Sequence, residues 1–189
     1  QARAMEVSQV DQMLADIGAD ALCVHMNPAQ EIVQPEGDRD FRRGAETMTR
    51  LAAELSKPVV AKETGCGVSR ETAAKLVAAG VKTVDVSGAG GTSWVGVETL
   101  RAEDDGVALG ERLWDWGVPT AASVHFAVDA GLETIATGGI KNGLDVVKAV
   151  PLGATAAGMA RPLLRAHVQG GREGAEALLR ADTQARPKE

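Results

Sequence analysis

The chain has 189 residues, enough for one domain with a sizeable buried core. Hydrophobic residues make up 44% but aromatics only 3%, with no tyrosine, so the core must be built from Ala, Val, Leu and Ile. A net charge of −6 with no stripe of Lys and Arg argues against a nucleic-acid partner held through phosphates. No apolar run reaches the ~18 residues of a membrane span, and no signal peptide opens the chain, so the expected location is cytoplasmic. In chain order, the first predicted element is a helix over 7–17, with Val7, Val10, Leu14 and Ile17 on one face. A strand over 21–25 follows, then a polar loop, a helix over 44–55 and a strand over 58–62. Next come a helix over 69–79, opened by Ser69 and closed by Gly80, and a strand over 83–86. Helices over 106–116 and 122–130 precede a strand over 134–137, and a helix over 143–150 precedes the last strand over 155–158. A frayed tail is expected from 182 to 189.

Alternating strands and helices imply a parallel sheet, because parallel neighbours need a crossover. Doubly wound sheets and closed barrels both meet that condition. Here the polar and glycine-rich residues follow nearly every strand, whereas a doubly wound sheet concentrates its ligand residues at one switch point. The expected fold class is therefore α/β, a (β/α)8 TIM-type barrel in a single domain over 1–189. Only five units are readable where a closed barrel has eight. The chain also starts at Gln1 rather than Met, so it is expected to be a partial barrel, the last five β/α units.

The first strand ends in His-Met-Asn-Pro-Ala-Gln-Glu, residues 25–31, followed by a charged loop over 34–44. Strand alternation puts His25 and Asn27 on one side at the C-terminal mouth of the sheet, with Gln30 and Glu31 at the start of the loop. A carboxylate at that place can hold Mg²⁺, which takes oxygen ligands and keeps waters and a substrate phosphate. The second strand ends at Lys62, a cation that needs a partner, either Glu63 or another carboxylate, or an anionic cofactor. After the third strand, Ser87, Gly88, Gly90, Gly91 and Thr92 form a loop whose amides can approach a flat or anionic ligand closely. Trp94 and Glu98 follow it. The last two strands end in Gly138-Gly139-Ile140-Lys141 and Gly158-Met159-Ala160-Arg161, where backbone amides can grip a phosphate at a helix N-terminus. Cys23 and Cys66 have no partner at metal spacing and read as reduced thiols; His125 and His167 fall in helical patterns and read as structural.

These five strand ends, in this order, resemble the type 2 isopentenyl diphosphate isomerases, flavin-dependent barrel enzymes, over about 18–164. The 25–31 segment with the loop at 34–41 is the most specific part; the glycine-rich loops at 87–94 and 138–145 are shared with other flavin barrels. Met26 and Ala29 stand where the family often has other apolar residues. Lys141 stands where arginine is frequent, and a lysine cannot make arginine's bidentate phosphate contact. The resemblance implies FMN, its phosphate on Gly139, Ile140, Lys141, Ala160 and Arg161, with Lys62, Ser87 and Thr92 against the ring and ribityl chain. It implies Mg²⁺ on Glu31 bridging an isoprenoid diphosphate, with Gln30, His25 and Asn27 holding the substrate. Gln30, Glu98 and Trp94 are implied near the reacting alkene. It further implies NADPH to reduce the flavin, a place in isoprenoid biosynthesis and a homo-oligomer. The competing readings are an FMN-dependent oxidoreductase of the 2-hydroxy-acid oxidase type, for which the expected His–Arg pairing after these strand ends is missing, and a catalytically incomplete fragment.

Overall fold

In the computed structural model, which describes residues 5–103 and 106–184, five parallel strands form one sheet in the order β1-β2-β3-β4-β5. The strands are β1 (Leu22–His25), β2 (Val59–Lys62), β3 (Thr83–Asp85), β4 (Glu133–Ala136) and β5 (Ala156–Ala157). Each strand pairs with the next in sequence, and no neighbour is skipped. A doubly wound sheet must reverse its strand order at a switch point; this one never does. Sequential parallel order with a helical crossover after each strand is the progression of a (β/α) barrel, here five consecutive units of one.

Nine helices occur among the described residues. They are α1 (Val7–Asp16), α2 (Pro28–Val33), α3 (Gly44–Glu54), α4 (Arg70–Ala78), α5 (Trp94–Arg101), α6 (Gly106–Leu113), α7 (Thr120–Asp129), α8 (Gly143–Ala149) and α9 (Arg161–Gln184). Helix α4 begins as its sequence demands: the Ser69 side chain accepts from the Thr72 amide, and Gly80 takes a φ of +81° just past the end. Helix α1 buries Val10 and Leu14 as its periodicity requires, but Ile17 lies past the helix end and is exposed.

On one face of the sheet, helices pack directly against the strands. Ala61, Val84, Val86 and Ala136 are fully buried there and pack with Leu51, Leu76 and Val124 from α3, α4 and α7. Strand alternation sends the intervening residues to the other face. There, His25, Lys62, Asp85 and Ile135 lie side by side in register, half-buried or exposed. A small aliphatic core outside and a row of polar groups inside is the arrangement of a barrel wall whose inner face meets ligand at the strand ends.

Three helices were not foreseen by the pattern. Helix α2 is six residues long and occupies the segment expected to be a loop, so Gln30 and Glu31 ride on a helix instead. Helix α5 occupies the Trp94–Arg101 stretch. Helix α9 carries two segments broken at Gly170 and Gly171, whose φ/ψ values are not helical. Residues 182–184, expected to belong to a frayed tail, are still helical, and 185–189 lie outside the described residues.

Candidate active site

The ends of β2, β3, β4 and β5 open into a cavity of about 940 Å³, the size of a cofactor site rather than of a packing defect. Four strand ends supply most of the wall: Lys62, Thr64 and Gly65 from the second, Ser87, Gly90, Gly91 and Thr92 from the third, Thr137 to Lys141 from the fourth, and Gly158 to Arg161 from the fifth, with Arg165, Gln169 and Leu178 of α9 adding to it. Trp94, the first residue of α5, closes one side with 42% of its surface exposed. All eight residues expected to hold the cofactor (Lys62, Ser87, Thr92, Gly139, Ile140, Lys141, Ala160 and Arg161) line this single hollow.

Glycine is required where the third and fourth loops meet. A Cβ on Gly138, at φ +90°, would lie 2.2 Å from the Gly88 carbonyl oxygen. One on Gly139, at φ +81°, would lie 2.5 Å from the Gly90 oxygen. The two loops therefore touch backbone to backbone, in a conformation only glycine adopts without strain. Lys141 differs from its neighbours, because its amide donates to Asp145 Oδ2 at 3.0 Å. It can offer a phosphate its ammonium but not its N–H. Asn142 caps α8 by accepting from the Asp145 amide, fixing the turn that presents the loop.

Lys62 has the carboxylate partner that its position demanded. It is Asp85, next to it in register, with Nζ 3.1 Å from Oδ2; from Glu63 it contacts only the backbone oxygen, at 3.3 Å. Asp85 Oδ1 accepts from the Thr137 hydroxyl and, at 3.3 Å, from the Ser87 amide. The Glu63 side chain turns the other way. It is 4% exposed and accepts from the Thr64 and Cys66 amides at 2.6 and 2.7 Å. Burial pushes its carboxyl up to about 7, against the downward pull of those two amides. The neighbouring Cys66 thiol is pushed up to about 11, by burial first and then by the Glu63 charge, which makes it inert rather than nucleophilic.

The remaining expected residues, His25, Asn27, Gln30, Glu31 and Glu98, are not on the cavity wall. They form a second group beside it, on β1, α2 and α5, and α2 packs against α5. His25 Nδ1 lies 3.6 Å from Glu31 Oε1, and Glu31 Oε2 accepts from the Asp38 amide at 2.8 Å. Among the described residues no three His, Cys, Asp or Glu side chains cluster to hold a metal. Glu31 alone is still a fit for Mg²⁺, which is commonly bound by one or two carboxylates plus substrate phosphates and water. Gln30 brings a buried Oε1 that accepts from no group among the described residues. An orphaned buried acceptor is costly and is a mark of a site that receives a donor from a ligand.

Two expectations change. Asn27 does not share a side with His25, because the chain leaves the strand after His25. Its side chain is 1% exposed, its Oδ1 caps α2 by accepting from the Gln30 amide, and its Nδ2 donates to the Thr64 oxygen at 2.6 Å. Both polar atoms are engaged, so Asn27 fastens α2 to the cavity loop in place of contacting substrate. Glu98 is neither solvated nor on the wall: it is 3% exposed, and its Oε2 accepts from Arg101 Nη1 at 2.7 Å. Asp85, Glu63 and Thr137 escaped the sequence reading as site residues. For Asp85 the signal was available, an acid between Val84 and Val86 that alternation aims at the open face.

An open-faced parallel sheet whose strand-end loops converge on a phosphate-sized cradle beside a lysine is the architecture of the flavin barrels. The chain belongs to the FMN-dependent dehydrogenase family, whose profile matches residues 8–184. Within that class its sequence is similar to isopentenyl-diphosphate delta-isomerases. It is 50% identical to that of Thermococcus kodakarensis over 168 residues, 87% of this chain and 44% of that protein. It is 47% identical to that of Methanosarcina mazei over 174 residues, 90% of this chain and 47% of that protein. The chain thus spans a little under half the length of these relatives. Among solved structures, a mandelate oxidase variant with benzaldehyde superposes with a TM-score of 0.64 at 25% identity, over 94% of this chain and 52% of that one.

Proposed function

We propose that the protein is a type 2 isopentenyl-diphosphate isomerase, interconverting isopentenyl and dimethylallyl diphosphate with reduced FMN and Mg²⁺, with NADPH serving only to reduce the flavin. The observation that carries this reading is the pairing of two adjoining groups. One is a glycine-built cavity fit for a flavin phosphate, and the other is a helix bearing an orphaned Gln30 beside Glu31. The family's oxidases share the first; the second is the segment that resembles the isomerases.

When bound, reduced FMN would supply an electron-rich ring facing the positive charge that develops as the alkene is protonated, and a proton at its N5 region. The residues of this chain do the rest. Gly139, Ile140, Ala160 and Arg161 hold the flavin phosphate with backbone amides, reinforced by the Lys141 ammonium. Lys62, Ser87 and Thr92 orient the ring and ribityl chain. Glu31 would hold Mg²⁺, which would supply positive charge for the substrate diphosphate, with His25 beside it as a further contact to that anion. Gln30, whose side-chain oxygen is free to accept, fixes the substrate at the flavin edge. Trp94 covers the alkene and keeps water away, which strengthens every electrostatic interaction inside. Glu98 lies one turn beyond Trp94 and, held by Arg101, would supply negative charge behind the developing cation.

Assay of the purified protein with isopentenyl diphosphate, FMN, Mg²⁺ and a catalytic amount of NADPH tests the proposal. Dimethylallyl diphosphate should form with no stoichiometric use of NADPH and should cease on chelation of Mg²⁺. Stoichiometric oxidation of NADPH, or turnover of a 2-hydroxy acid, would point to the oxidoreductase reading. Replacing Glu98 by Gln should lower turnover about tenfold or more while FMN affinity is kept; unchanged turnover would remove Glu98 from the mechanism.

A further inference from the structure

Asp85 is a carboxylate that stands directly behind three residues of the cavity wall. Its Oδ2 lies 3.1 Å from Lys62 Nζ, its Oδ1 accepts from the Thr137 hydroxyl, and the Ser87 amide lies 3.3 Å from the same oxygen. Lys62, Ser87 and Thr137 all line the cavity, whereas Asp85 does not. The carboxylate thus ties together the ends of β2, β3 and β4, three of the four strands whose ends line the cavity. Its side chain is 15% exposed against 38% for Lys62, so water screens part of the attraction from the lysine side while the carboxylate stays largely enclosed. Ser87 is held beside it at a φ of +32°, a strained value for a residue with a side chain. The Ser87 oxygen accepts from both Gly65 and Gly67, so the strain sits at a node shared by two loops.

Two consequences follow from elementary electrostatics. An ammonium against a flavin ring favours the anionic reduced form over the neutral oxidised form. A carboxylate 3.1 Å behind that ammonium cancels most of its field while leaving its hydrogen-bonding geometry in place. We propose that Asp85 is a positioning residue for the flavin: it fixes Lys62, Ser87 and Thr137 against the cofactor and, by offsetting the Lys62 charge, lowers the flavin's reduction potential. This rests on the flavin-binding reading given above.

The test is the two-electron reduction potential of FMN bound to the purified protein, compared between wild type and Asp85→Asn. The variant should bind reduced FMN at least tenfold more favourably relative to oxidised FMN than wild type does, a shift of about 30 mV to more positive potential. Lys62→Met should move the potential in the opposite direction, and Asp85→Glu, which keeps the charge, should stay within half of the Asp85→Asn shift. A role confined to holding the fold would weaken both oxidation states alike and leave the potential unmoved; that result overturns the proposal. If Asp85→Asn does not fold, Asp85→Ser carries the same expectation. Wild-type protein that binds no flavin would overturn the flavin reading itself, an outcome distinct from bound flavin with an unmoved potential.

Discussion

Glu63 illustrates how a single buried group sets a property of the whole protein. Its carboxyl has an ordinary value of 4.5 and is raised by burial to about 7. Between those values the folded state holds a proton that the unfolded chain has released, so stability falls as pH rises through this window. The cost is absent below about pH 4.5 and fully present above about pH 7. Glu63→Gln keeps an acceptor for the Thr64 and Cys66 amides but has no charge to bury. The variant should gain on wild type by about 1–3 kcal/mol at pH 8 relative to pH 4.5, read from denaturant melts at the two values. A second residue-scale expectation concerns the cradle. Gly138→Ala forces a Cβ against the Gly88 oxygen at positive φ, so it should cost about 1–3 kcal/mol and weaken FMN at least tenfold in a fluorescence titration. Such glycines were legible in the sequence because they cluster after strands. Asp85 could have been read from its place between two apolar residues of a strand, but Glu63, one residue past a strand end, is uninformative until the structure shows which amides it accepts from.

At the scale of elements, the five strands and six of the helices follow from apolar periodicity and their cap residues, with ends displaced by up to three residues. The failures have physical causes. Helix α2 is too short to show a period, and its Pro28 at the first position reads as a loop until Asn27 is seen to cap it. Helix α9 contains Gly170 and Gly171, which break any periodic reading, and strand β5 is only two residues long. The role of α2 is testable through its tether. Asn27→Ala removes both the cap and the bond to the Thr64 oxygen and should cost about 1–2 kcal/mol in a denaturant melt. Because Gln30 and Glu31 ride on this helix, the KM for the diphosphate should rise more than kcat falls. Asn27→Asp, which retains the cap but not the Nδ2 donor, should show an intermediate defect.

For the whole molecule, one fact organises the rest: helices bury one face of the sheet, and the polar row His25, Lys62 and Asp85 occupies the other. That division explains why the residues expected to hold the flavin converge without exception on one hollow, although 99 residues separate Lys62 from Arg161 in the chain. It also explains why the residues expected to hold substrate lie beside the hollow and not in it, since α2 and α5 follow the loops after β1 and β3. If this hollow is a flavin site with its phosphate on the last two strand ends, as proposed, a crystal structure of the protein grown with FMN will show it most directly. The phosphate should lie within hydrogen-bond distance of the Gly139 and Arg161 amides, with the ring against Lys62; FMN bound elsewhere, or its phosphate at the Glu31 side of the mouth, would refute the proposal.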